Sequence, residues 1–590
     1  MCSGAFAALA VTGYGYNEAL ASGGGGVVQP RIVRIGNSPC VRTWCERRPD
    51  GGYRMMQSPS ARGKECGPWT MTTELVRQMD APGIVETNAA GEAWVVCGSR
   101  RMPLYASAMA LARRDWEPFG PEWACQWTPE FDRAIDERIE RHRKADATVD
   151  GLAPGAEVRV DQMTSRFLFG SQMFNFNQLG SDSMNAAYKA AFTNLFNAAT
   201  LAFYWRDFEP EEGRPRFASG PRDEPSFWNA FDFAHKEPEQ FVEWRRPAPD
   251  RLIEFCRAHG LSMHGHAILY VWPTPEWVFK KATTPELARF YYDRRVAGIA
   301  RHYGDAIPQW DVVNESLNRK STRESPDDAD NWCRILRKDF VLPHEFTRRA
   351  FEVAASNFPQ SVRLAINDAW TMQNDAYAAF VRKLIGQGAR IDVVGYQKHI
   401  FDPRDLLTVA SGYPCLTNYQ TWDLDREIAR LKEIDGLGRP IHISEITIPS
   451  PRGLEGLSDD EADAIQARVL TDQYRLWFSW PSVYRITYWN LVDGTGAKNE
   501  IMSSGFFNRD MSEKAAAKAI RKLVRETWRT NLELTADKSG AISFRGFRGR
   551  YRITGTDCAG RACVKETTVV GAALVLVQAV SADSTLASAE

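Results

Sequence analysis

Apolar positions change period along the chain, and the change divides it. From about residue 166 to 530, short apolar runs alternate with amphipathic stretches. The runs are RFLFG (166–170), ATLAFYW (199–205), LSMHGHAILY (261–270), QWDVVN (309–314), VRLAIND (362–368), IDVVGYQKH (391–399), PIHISEI (440–446) and YRITYWN (484–490). Each is nearly continuous in apolar residues, as strands covered on both faces are. Between them, Tyr188, Phe192, Leu195 and Phe196 keep helical spacing, as do Leu424, Ile428 and Leu431. Eight strand–helix units predict an α/β fold, a (β/α)8 TIM barrel over 166–530. An open doubly wound sheet would call for a Gly-rich phosphate turn after an early strand, and no GxGxxG follows the first strand.

The flanks read differently. Residues 27–125 are rich in Gly, Pro, Arg and Cys, with short bursts such as EAWVVCGS, and predict a small β-rich region. Its role is structural or carbohydrate-binding, with Trp44, Trp69 and Trp94 as candidate platforms. Thr128 and Pro129 suit the start of a helix whose face carries Phe131, Ile135 and Ile139. ATVD and EVRVDQ, joined by LAPGA, then predict a hairpin, so that 126–165 lead into the barrel. Past 530 the alternation LEL, AISF, RGFRGRYRIT predicts a small β module over 531–590, with Phe544, Phe547 and Tyr551 in a structural role. The apolar run GAFAALAV and Ala19-Leu20-Ala21 mark 1–26 as a leader or linker and suggest a secreted or periplasmic protein.

Composition narrows the function. A formal charge of -1 over 590 residues makes no electrostatic case for nucleic acid or an anionic membrane. No apolar run approaches the roughly 20 residues of a membrane helix. The 11 cysteines show no paired CxxC spacing, so no metal site is expected, and no cofactor. Five lie between Cys40 and Cys125; with Cys558 and Cys563 these are candidates for disulfides. Cys256, Cys333 and Cys415 read as lone buried thiols.

In a barrel the chemistry sits where strands end. Here the third strand closes on His264 and His266, the fourth on Asn314 and Glu315, the fifth on Asn367 and Asp368. The sixth closes on Gln397 and His399, the seventh on Glu445, the eighth on Trp489 and Asn490. Any one of these alone would be an N-cap, a turn or a core polar residue. Six consecutive polar strand ends are not what a structural barrel needs. Two Glu on the fourth and seventh strands face each other across the mouth, and paired carboxylates are how glycosidases cleave acetals. One is held protonated to deliver a proton; the other is ionised to attack the anomeric carbon.

The same residues carry a family resemblance. WDVVNE, HGHAIL…TPEW, IND, GYQKH, ISEI and ITYWN resemble, in order and spacing, the motifs of glycoside hydrolase family 10, the endo-β-1,4-xylanases of clan A. The resemblance extends over roughly 160–525. It implies Glu315 as acid/base and Glu445 as nucleophile, with Asn314 on the sugar 2-hydroxyl and His266 lining the central site. It further implies Gln397 beside the acid/base, His399 on the nucleophile and Trp489 as floor, with Asn367, Asp368 and Trp205 in support. The implied substrate is a polysaccharide or oligosaccharide, cut with retention and without a cofactor.

Departures cluster on one side of the site. The Glu-Asn pair and Lys usual after the second strand are Thr200, Leu201 and Tyr204. Trp-His and Gln after the third strand are Tyr270-Val271 and Pro273, and the Asp two residues past the nucleophile is Thr447. The second Trp after the eighth strand is missing. Residues 218–243, aromatic and acidic, look like an insertion that rebuilds or blocks the cleft on the non-reducing side. Mid-chain cutting of a decorated xylan, exo or non-xylan action, and sugar binding without turnover all stay open.

Overall fold

The computed structural model describes residues 118–570, apart from residues 120, 271–272, 318–342, 370–375, 402, 411–414, 418–419, 423, 455–456 and 498–499, together with six strands between residues 31 and 103. Those six, Arg31–Val33, Val41–Arg47, Tyr53–Pro59, Pro82–Thr87, Ala93–Cys97 and Arg100–Pro103, pair antiparallel in sequence order. Trp44 and Trp94 lie on them, and Trp69 lies outside the described residues.

The centre of the chain is a closed parallel barrel. Its strands are β1 (Leu168–Gln172), β2 (Ala198–Ala202), β3 (Ser262–His266), β4 (Gln309–Asn314), β5 (Arg363–Asn367), β6 (Val393–His399), β7 (Ile441–Thr447) and β8 (Val483–Tyr488). Each pairs with the next, and β8 returns to β1 through Arg485↔Leu168. The narrowest seam is β3 to β4, where Gly265 pairs with Trp310. A Cβ at Gly265 would stand 2.2 Å from the Trp310 ring, so only glycine lets that indole lie over β3, where it packs on Phe203, Tyr303 and Phe358. The third apolar run breaks at residues 267–268, and Leu269–Tyr270 resumes alongside Val313 and Asn314.

The helix Pro129–Arg143 forms as its signals predict: Thr128 Oγ1 accepts the Phe131 amide at 3.1 Å, and Ile135 and Ile139 are buried. The hairpin expected next does not form. Lys144–Val149 pairs with Ile542–Phe547, and Glu157–Ser165 lies between Asn531–Thr535 and Gly549–Thr556. Two short strands expose too much apolar surface to pair only with each other, and the C-terminal strands supply the missing partners. One core of Val149, Leu152, Val158, Val160, Phe544, Tyr551 and Ile553 joins the two chain segments. Phe547 is buried against the barrel-side core.

Cys256 is a buried thiol, and Cys558 and Cys563 are free thiols rather than a disulfide. The side chains of the five cysteines from Cys40 to Cys125 and of Cys415, Cys333, and the leader 1–26 lie outside the described residues. Among the described residues no helix is long and apolar enough to cross a membrane, and no cluster could hold a metal ion.

Candidate active site

Parallel strands aim their C-terminal ends at one rim, and that rim carries the polar residues. Glu315 follows β4 with φ 55°, a left-handed conformation that costs a non-glycine residue about 1–2 kcal/mol. Its amide donates to the Asn367 carbonyl at 2.8 Å, which holds that turn. Asp368 holds it from the other end, accepting the Leu317 amide at 2.9 Å. Asp368 is therefore a buried brace of the turn after Glu315.

Glu445 stands opposite on β7, 5% exposed. Its Oε1 accepts Asn367 Nδ2 at 2.8 Å and Gln397 Nε2 at 2.9 Å. The same Gln397 nitrogen lies 3.4 Å from Glu315 Oε1. Those two oxygens are thus no farther apart than the sum of the two distances from that nitrogen, 6.3 Å. Asn314 Oδ1 accepts Asn367 Nδ2 at 2.9 Å and Gln397 Nε2 at 3.2 Å, closing a fully buried amide cluster. Ser444 Oγ donates to Asn367 Oδ1 at 2.6 Å and fixes which way that amide faces.

Two histidines flank Glu445. His399 Nε2 is 3.5 Å from Oε2, while its Nδ1 lies 2.9 Å from Thr447 Oγ1. A hydroxyl thus orients the ring where the resembled family has a carboxylate. His266 Nε2 is 3.7 Å from Glu445 Oε1 and 3.2 Å from the Tyr204 hydroxyl, and its Nδ1 is 2.7 Å from Asp311 Oδ2. Trp489 sits 5.3 Å from the His266 ring, edge to face.

The electrostatics separate the two carboxylates. Burial, and then the Glu445 charge, push the Glu315 carboxyl above the ordinary range. The Tyr270 hydroxyl donates to Glu315 Oε2 at 3.1 Å and works against that rise. Behind them, burial disfavours a charged His266, but its hydrogen bond to Asp311 and the nearby carboxylates outweigh it and raise its pKa. Burial would also raise Asp311, yet His264 and His266 bring it down to about 2. Burial lowers the His264 pKa, although its Nε2 lies 3.0 Å from the same Asp311 Oδ2.

Nine of the ten residues picked from the sequence meet at this rim or brace it. Trp205 does not. Its strand ends at Ala202, and Trp205 opens the short helix Trp205–Phe208, which turns its side chain into the core. There its indole N–H donates to Glu209 Oε2 at 2.9 Å and its ring packs on Trp277. Asp311 was missed; a carboxylate inside the apolar run 310–313, beside an HxH strand, was its signal. Arg245 and Arg246 were missed as well, and no local pattern marks them.

The model for the family described as glycosyl hydrolase family 10 matches residues 228–523. That match begins after β1 and β2. The anti-sigma-I factor RsgI6 of Acetivibrio thermocellus is 27% identical over 449 residues, 75% of this chain and 48% of that protein. Endo-1,4-beta-xylanase A of Halalkalibacterium halodurans is 24% identical over 280 residues, 42% of this chain and 63% of that enzyme. The chain thus spans about half to under two thirds of these curated relatives. Native xylanase 10B from Thermotoga maritima superposes with a TM-score of 0.46 at 20% identity, over 61% of this chain and 96% of that one. With half of its residues matched by one family model and an eight-stranded barrel bearing paired carboxylates just after β4 and on β7, the chain belongs to glycosyl hydrolase family 10.

Proposed function

We propose that this protein is a retaining glycoside hydrolase that cleaves β-1,4-linked xylan, plain or decorated, through a covalent glycosyl-enzyme intermediate. The observation that carries the reading is the single Gln397 amide within reach of both carboxylates. A separation of at most 6.3 Å lies below the roughly 6.5–9.5 Å that inversion needs to admit a water between the carboxylates. Family membership and the names of the xylanase relatives support the substrate class.

In this reading Glu445 attacks the anomeric carbon as the bond to the leaving oxygen breaks, and Glu315 delivers its proton to that oxygen. Water then attacks the same carbon, Glu315 takes a proton from it, and Glu445 leaves as carboxylate. The raised Glu315 pKa keeps the proton available for the first step. Asn367 and Gln397 hold Glu445 Oε1, which leaves Oε2 beside His399 as the attacking oxygen.

Two measurements test this. A 2-deoxy-2-fluoroxyloside with a good leaving group should add one sugar mass to the peptide bearing Glu445. Glu315→Gln should lose about 10²–10⁴-fold in kcat on unactivated substrates. An α-configured first product, or full activity in Glu445→Gln, would overturn the mechanism. Recognition of the polysaccharide without turnover is a second reading, favoured by the likeness to an anti-sigma factor. It predicts sugar binding with no product at all.

A further inference from the structure

The space beside Glu445 on the side of β8, β1 and β2 is filled by the chain leaving the inserted segment. That segment folds on its own aromatic cluster: Trp228 is fully buried, with Phe231, Phe233, Phe241 and Trp244 at 5.2–6.3 Å between ring centroids. It is tied to the rim by the Arg245 amide, which donates to Gln178 Oε1 at 2.8 Å, and by the Ala248 amide, which donates to Asp223 Oδ1 at 2.9 Å.

The residues just after it turn inward. Arg245, at φ 58°, donates from Nη2 to Asn490 Oδ1 at 2.9 Å and lies 3.3 Å from Glu500 Oε2. The Arg246 guanidinium lies 4.0 Å over the Tyr204 ring and 4.6 Å over that of Phe174, whose own ring meets Trp489 at 5.2 Å. A sugar approaching that face of Tyr204 would have to displace a cation from two aromatic faces.

A side chain that receives a sugar shows surface in the empty protein. Phe174 and Asn490 are 1% exposed and Arg245 3%. The remaining exposure is 5–6% on each of Glu445, Trp489 and Tyr204, with more on Tyr270 and Glu315 and 18% on the Arg246 side chain. That is surface for one ring against the carboxylates, and a second ring behind it would meet the Arg246 guanidinium in place of an aromatic face.

We propose that Arg245 and Arg246 close the cleft one sugar beyond the cleavage point, so that the site takes the non-reducing end of a β-1,4-linked chain and releases single sugars. The inference rests on Glu445 as nucleophile and Glu315 as acid: the attacked ring then lies over Glu445 and Trp489, and the leaving chain lies past Glu315. The bond broken joins the terminal sugar to the rest of the chain.

The test uses the whole protein and 4-nitrophenyl β-xylobioside. With one sugar site on the non-reducing side, free xylose and nitrophenyl xyloside appear first, and nitrophenol follows after a lag. Immediate nitrophenol with xylobiose overturns the closure and leaves the glycosidase reading standing. No cleavage of this compound, of nitrophenyl xyloside or of xylan overturns both. In Arg246→Ala the lag should shorten or vanish as xylobiose becomes a product; a lag unchanged in a folded variant also overturns the assignment. Should that variant not fold, the wild-type product order decides alone.

Discussion

Replacing Gln397 by Leu tests the amide that links the two carboxylates. The substitution keeps side-chain volume and removes one donor with three acceptors in reach: Glu445 Oε1 at 2.9 Å, Asn314 Oδ1 at 3.2 Å and Glu315 Oε1 at 3.4 Å. Glu445 and Asn314 each retain Asn367 Nδ2, at 2.8 and 2.9 Å. Only the bond to Glu445 is both short and charge-assisted, so it decides the magnitude. A hydrogen bond to a charged group is worth about 1.5–3 kcal/mol. If that strength is needed to place the nucleophile, kcat/KM should fall about 10- to 150-fold. The sign for Glu315 is separate. Gln397 stabilises its charged form, so the variant should hold the acid's proton to higher pH and move the alkaline limb of the kcat/KM profile upward. The assay is kcat/KM against pH on an aryl xyloside, with thermal melting beside it. An unchanged kcat/KM and alkaline limb in a folded variant would refute the positioning argument. A lower melting temperature with no change in the profile would assign Gln397 to stability alone.

Two further outcomes follow from β3 and β4. Asp311→Asn removes the buried carboxylate that His264 and His266 face at 3.0 and 2.7 Å, and breaking such a buried pair costs about 3–5 kcal/mol of stability. The folded Asp311 pKa of about 2 lies below the ordinary value near 3.9, so the wild-type advantage should be complete above that value and fade as pH falls through about 2. Denaturant melts at pH 7 and pH 2 check this; an equal gap at both would sink it. Gly265→Ala sets a methyl 2.2 Å from the Trp310 ring and should cost about 1–3 kcal/mol by overpacking, read as a lower melting temperature. An unshifted melt would mean that the β3–β4 seam yields freely.

The eight apolar runs were legible because a barrel strand is buried on both faces and must read apolar almost throughout. The polar ends were legible for the complementary reason: Glu315 and Glu445 interrupt those runs where burial gives way to the rim. Trp205 was misplaced because a strand and the helix that follows it can share one apolar run, and only the backbone after Ala202 shows the turn. The hairpin over 147–162 failed for a related reason. Local alternation specifies a strand but not its partner, and the partners lie nearly 400 residues away, as in the pairing of Val149 with Ile542.

Strand content, barrel class and the two carboxylates were thus decided by local chemistry, since burial period and residue type are properties of short segments. What only the tertiary structure decided is who stands next to whom. Arg245 reaches Asn490 across 245 positions, and Arg246 covers Tyr204, because the chain leaving the inserted segment folds over the β1–β2 rim. Those contacts join residues with no periodic or spacing relation in the chain, and the shape of the cleft depends on them.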